Sequence, residues 1–152
     1  MYDSAFYVSM LMLADSLGVE LDNVQYHREV ALTDQPLTVA AGRIEAGTTA
    51  AMRMHLDGMR NSKTLIKLSW VWRLSDEVAP EWPTGDSRWI VTIDGDPKIE
   101  SELQVSTPSD SGRAVSRTVA TLTLNSVPVV CAAPPGPLNN LTIAPHGGGY
   151  FL

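Results

Sequence analysis

Two runs of alternating apolar and polar residues constrain this chain more than anything else in it. Met52, Met54 and Leu56 alternate with Arg53, His55 and Asp57, and after residues 58–63 Ile66, Leu68, Trp70, Trp72 and Leu74 alternate with Lys67, Ser69, Val71 and Arg73. Side chains of a strand point to opposite faces with period two, so each run predicts a strand with one apolar face. The turn-forming stretch from Gly58 to Lys63 joins them as an antiparallel hairpin. Trp89, Val91 and Ile93 keep the same period up to the turn Asp94-Gly95-Asp96-Pro97, and Ile99, Ser101, Leu103 and Val105 begin the next strand, with Glu100, Glu102 and Gln104 on its other face. About four antiparallel strands are expected between residues 48 and 106, with a further one from the extended stretch over 20–31.

A sheet with one apolar face needs a cover. From Tyr2 to Leu17 the residues Phe6, Met10, Leu13 and Leu17 recur at spacings of three and four, and Gly18 stands where a left-handed cap ends a helix. Met10 to Ala14 is apolar without a break, which predicts a helix enclosed on more than one side. The segment Arg113 to Asn125 is the second candidate, with Val115, Val119 and Leu122 at helical spacing; its β-branched Thr118, Val119, Thr121 and Thr123 suit a strand equally. Beyond Pro128 the prolines and glycines of 134–137 and 147–149 predict loops. The fold class is α+β: a mostly antiparallel sheet of about four to six strands with helices packed on one face. A length of 152 residues is that of one domain with one core, taken as 1–152.

All four tryptophans fall within twenty positions. Trp70, Trp72 and Trp89 are expected on the inward sheet face, as core or pocket wall, and Trp82, between Pro80 and Pro83, as a lid on the sheet edge or against a partner. His27, His55 and His146 are dispersed and suggest no metal site. Asp76, Glu77, Glu81 and Asp86 cluster after the second strand, as a solvated loop or a paired-carboxylate acid/base site. A net charge of −6 with eleven scattered lysines and arginines argues against nucleic acid. A single cysteine, Cys131, in the apolar run Val127 to Ala133, is expected to be buried, and a reducing cytoplasm is the expected location. Without a basic n-region or an apolar stretch of spanning length, neither a signal peptide nor a membrane span is expected. The charged fraction, 18%, is low enough to suggest a face covered by a partner.

Several motifs then follow in order: Asp3-x-x-Phe6, Leu17-Gly18-Val19-Glu20-Leu21-Asp22, Ile44-Glu45-Ala46-Gly47-Thr48-Thr49-Ala50-Ala51, Ala79-Pro80-Glu81-Trp82-Pro83, Ile93-Asp94-Gly95-Asp96-Pro97 and Pro128-Val129-Val130-Cys131-Ala132-Ala133-Pro134-Pro135-Gly136. In this succession the chain resembles the C-terminal half of the dihydrodipicolinate reductase-like NAD(P)-dependent oxidoreductases that include 2,4-diaminopentanoate dehydrogenase and the native amine dehydrogenases. The resemblance implies an N-terminal Rossmann domain, which these residues do not include, and a C-terminal α+β domain that closes the substrate pocket and makes a homodimer. It implies NAD or NADP, held mainly by the absent domain, and a catalytic acid with no counterpart here. From the two pocket-lining helices of the family it implies Phe6 and Met10 on one, and Thr118, Leu122 and Asn125 on the other, as substrate-facing positions. Leu124-Asn125-Ser126-Val127-Pro128 matches the family's Val-Asn-Ala-Ile-Pro closely, whereas Thr121-Leu122-Thr123 departs from the run before it.

Two functions from different classes follow. One is the substrate-binding and dimerisation part of an oxidoreductase acting on a small amine or ketone, inactive as an isolated chain. The other is a stand-alone, non-catalytic module that binds a small ligand or dimerises.

Overall fold

The computed structural model describes residues 4–39, 42–82, 87–104, 111–139 and 141. The elements are α1 (Ser4–Ser16), β1 (Asn23–Leu32), β2 (Leu37–Val39), β3 (Gly42–Ile44), β4 (Thr49–Arg60), β5 (Lys63–Arg73), β6 (Arg88–Ile93), β7 (Ile99–Gln104) and α2 (Ser111–Ala132). They fall into two compact units, 1–84 and 85–152.

In the first unit β4 is the central strand, flanked by β1 and β5, both antiparallel to it. Met54 lies opposite Trp70, Leu56 opposite Leu68 and Met52 opposite Trp72, so the two alternating runs share one face. α1 packs on that face. Its Met10 and Ala14 are buried, as are Met54 and Leu56. The helix ends as its sequence dictates: Gly18 takes φ 65°, its N–H donates to Asp15 O, and Val19 N–H donates to Ala14 O, the paired bonds of a Schellman cap. The unbroken apolar run predicts enclosure on more than one side, but Val8 (52%) and Leu11 (44%) are exposed. The sheet covers α1 from one side.

The turn between β4 and β5 is shorter than the sequence suggests. Pairing runs on through Gly58 to Arg60 and Lys63, leaving only Asn61 and Ser62, both with positive φ (51° and 62°), as a two-residue turn of the I′ kind. Asp22 holds it, its carboxylate accepting from Asn61 N–H at 2.6 Å. A residue other than glycine costs about 1–2 kcal/mol in this region. Ser62→Gly is therefore expected to raise stability by about 0.5–1 kcal/mol, net of the extra freedom glycine gains in the unfolded chain. The denaturation midpoint checks this.

β2 and β3 form a separate short hairpin that sequence alone does not predict, because three-residue strands are too short to show a period. After β5 the chain returns to the end of β1: Leu32 and Ala79 exchange backbone hydrogen bonds of 2.9 and 2.8 Å. That bridge sets Trp82 against Ala31 and Ala51 on the sheet's other face, with Val78 beside them, and all but 5% of Trp82 is buried.

In the second unit β6 and β7 pair from Arg88–Gln104 to Ile93–Ile99 as a two-stranded sheet of their own. The α+β class and the antiparallel pairing are as expected, while the seven strands divide among three sheets rather than one. Helical spacing prevails over β-branching in α2, whose 22 residues continue through Pro128 where a loop was expected. Thr123 Oγ1 donates to Val119 O and Ser126 Oγ to Thr123 O, so hydroxyls that compete with a helix here bond back into it. Cys131, expected in a core, is exposed on this helix. His146 and the glycine run 147–149 lie outside the described residues. Among the described residues no helix is long and apolar enough to cross a membrane.

Candidate functional site

The two faces of the three-stranded sheet differ in chemistry. On the face under α1, Phe6 stacks on Trp70 with ring centroids 3.9 Å apart and planes 17° apart, and meets Trp72 at 6.4 Å with a tilt of 59°. Trp72 remains 53% exposed. The indole Nε1 of Trp70 is buried and has no hydrogen-bond partner. One helix turn further on, Met10 is fully buried. The pair read as substrate-facing therefore divides by position: Phe6 is half-buried in an aromatic cluster at the open end of the face, and Met10 packs beneath the helix beside Gly58.

The opposite face carries a line of charged and polar groups. Arg53, His55 and Asp57 succeed one another on β4, and His27 and Glu29 face them from β1. Arg53 Nη2 donates to Glu29 Oε2 at 2.5 Å, His55 Nε2 approaches Glu29 Oε1 at 3.4 Å, and His27 Nε2 approaches Asp57 Oδ2 at 3.5 Å. Lys67 from β5 stands 3.9 Å from Asp57 Oδ1. The Arg53 guanidinium also lies 4.8 Å over the Trp82 ring, tying this line to the Ala31–Ala51–Trp82 cluster. Sequence reading treats His27 and His55 as dispersed because they are 28 positions apart; β1–β4 register sets them directly opposite each other. Knowing which strands pair is what would have revealed it.

The hydrogen bond from Arg53, then the arginine's charge and the approach of His55, hold the Glu29 carboxyl below the ordinary glutamate range against the opposing effect of desolvation. A carboxylate with a lowered folded-state pKa contributes stability that is whole above its unfolded value, about 4.3, and is lost as pH falls through the lower folded value. Glu29→Gln is expected to flatten the loss of stability with acid below about pH 4.3. Denaturant midpoints measured across that range would show it. Glu29 is solvent-accessible, so the effect is a change of slope and not a collapse.

In the second unit Thr118, Leu122 and Asn125 succeed one another at helical spacing on α2. Thr118 and Leu122 are exposed and Asn125 is half-buried. Of the carboxylates read as a possible acid/base cluster, Asp76 pairs with Arg73 at 3.0 Å, Glu77 and Glu81 are exposed, and Asp86 lies outside the described residues.

A nicotinamide dinucleotide needs a glycine-rich turn from a strand into the start of a helix, where backbone N–H groups meet the pyrophosphate. The described glycines with positive φ stand elsewhere: Gly18 ends α1, Gly42 and Gly47 belong to the β2–β3 region, and Gly136 follows α2. None opens a helix. The described residues do not fit the cofactor's pyrophosphate.

Against this geometry the comparisons with known proteins are specific. Residues 4–146 match the model of the 2,4-diaminopentanoate dehydrogenase C-terminal domain. The chain is also similar to an amine dehydrogenase of Streptomyces virginiae, 31% identical over 108 residues that make up 68% of this chain and 30% of that protein. The chain thus spans under a third of that relative's length, while the family match takes in α1, all seven strands and α2. From α1 through the last strand to α2, this chain belongs to the family of the 2,4-diaminopentanoate dehydrogenase C-terminal domain.

Proposed function

We propose that this chain is the substrate-binding and dimerisation part of an NAD(P)H-dependent oxidoreductase acting on a small amine or ketone. The single observation that carries this reading is the family match over residues 4–146, which extends across both units. The name of the amine dehydrogenase relative points to the same chemistry. The aromatic face of Phe6, Trp70 and Trp72 suits the role, because a dry apolar wall positions a small organic substrate and keeps water away from it. Phe6, Met10, Thr118, Leu122 and Asn125 are the proposed substrate-side positions, with Phe6 and its tryptophan neighbours the strongest of them. NAD or NADP belongs to a dinucleotide-binding half supplied from outside these residues, and the assembled enzyme works in the cytoplasm. For the homodimer, support comes from apolar side chains of the second unit that stand in solvent, among them Ile90 (60%) on β6 and Leu124 (70%) on α2.

The test supplies the missing half. The 152-residue chain is assayed alone, then joined to the portion of the Streptomyces virginiae relative that lies outside the matched residues, for oxidation of NADH or NADPH that depends on ketone and ammonia. No turnover alone and turnover in the joined protein is the expected result. Turnover by the isolated chain would overturn the division of labour, and an inactive but folded joined protein that binds dinucleotide would favour the stand-alone binding module. Sedimentation over a concentration series tests the dimer, which a purely monomeric result would rule out.

A further inference from the structure

Four buried side-chain atoms in the described residues lack a hydrogen-bond partner, and they are not equivalent. Arg53 Nε, His55 Nδ1 and Asp57 Oδ1 sit on the charged face of the sheet, in side chains that are already engaged in ion pairs with Glu29, His27 and Lys67. Trp70 Nε1 is the exception. Trp70 lies opposite Met54 on the apolar face, under the ring of Phe6 and next to Trp72. An unpaired donor in apolar surroundings costs about 1–3 kcal/mol. An ordered water is a poor remedy, because it needs two to four polar partners and the neighbours described at Trp70, the Phe6 ring and Met54, are apolar. The group that fits is a single hydrogen-bond acceptor on an otherwise apolar body. Among small organic molecules a ketone has that form.

We propose that the Trp70 indole N–H positions the substrate by donating to its carbonyl oxygen, with the open ring of Trp72 as the adjoining wall and the half-buried Phe6 ring turning aside to admit it. This rests on the reading of the chain as the substrate-binding part of an amine- or ketone-directed enzyme and adds the donor which that reading lacks. It also separates the two forms of the substrate. A ketone accepts from the indole; the protonated amine has no acceptor and meets only ring faces.

The experiment follows the indole N–H signals of ¹⁵N-labelled full chain by NMR during titration with 2-butanone and, separately, with protonated 2-aminobutane. Trp70→Phe keeps an aromatic ring under Phe6, removes the donor together with the fused second ring, and identifies the Trp70 signal by its loss. Expected is a saturable shift of the Trp70 indole signal with the ketone and none with the amine. Trp70→Phe should weaken ketone binding, followed on the remaining signals, about fivefold, the worth of one neutral hydrogen bond. If the ketone saturates other signals while the Trp70 indole stays still, or if ketone and amine move it alike, the proposal is overturned and the substrate-binding reading stands. If neither ligand moves any signal, both fall.

Discussion

Trp82→Ala is expected to cost about 3–4 kcal/mol, more than the same change at any other tryptophan described here. Trp82 is 95% removed from solvent and fills the space over Ala31 and Ala51, residues so small that neither can move to close the cavity. The substitution also leaves the Arg53 guanidinium, 4.8 Å over the ring, without its aromatic partner, a loss of about 0.5–1 kcal/mol. Trp72→Ala removes as large a side chain, but 53% of Trp72 already lies in solvent, so the loss is expected to stay near 1–2 kcal/mol. The measurement is the denaturant midpoint of each variant at unchanged slope, with a fall in Tm on the order of 10 °C for Trp82→Ala. Equal costs at the two positions would show that Trp82 does not pack as described.

That order inverts what period-two patterning implies, and the reason marks the limit of what was legible. Alternation assigns Trp70, Trp72 and Trp89 to one inward face; Trp70 and Trp72 do lie opposite methionines of β4 on the face that α1 covers, whereas Trp89 stands on β6 in a separate sheet and is exposed. How far along that face the helix reaches is not written in a period. Its cover is full at Met10 and partial at Trp72. Trp82 has no period at all, flanked as it is by Pro80 and Pro83. Its burial follows from the Leu32–Ala79 backbone bridge, a contact between residues 47 positions apart. Local signals are legible where one residue type forces one geometry, as Gly18 does at the end of α1. The site divides in the same way. Phe6 is a candidate only through its place on a helix matching a family's pocket helix, whereas its stacking on Trp70 and the unpaired indole N–H emerge only when helix and strand are set together. The facing line of Glu29, Arg53, His55, His27 and Asp57 was hidden for a related reason, because its members alternate with apolar residues and read singly as solvent-side decoration.

Gly58 shows how a residue read as turn punctuation can be a packing requirement. It sits inside β4, opposite Val24 on one side and Ile66 on the other, at the point where α1 and the loop after it cross the sheet. A Cβ there would lie 2.8 Å from Met10 Sδ and 2.9 Å from Leu21 Cδ1, closer than carbon atoms approach without displacement. Met10 is fully buried, so its thioether has little room to retreat. Alanine in place of a strand glycine normally gains about 0.5–1 kcal/mol from the unfolded chain. Here that gain is opposed by overpacking of about 1–3 kcal/mol. Gly58→Ala is therefore expected to lower stability by an amount on the order of 1 kcal/mol. Gly58→Val, whose two further methyls meet the same wall, is expected to lower it by about 2–3 kcal/mol. The decisive measurement is a double-mutant cycle with Met10→Ala. Shortening the side chain that the new Cβ strikes should return at least half of the Gly58→Val penalty, because contacting residues couple. If the two losses simply add, the penalty arises at Leu21 or in the strand itself, and the close approach of α1 to β4 at Gly58 is not what selects glycine there.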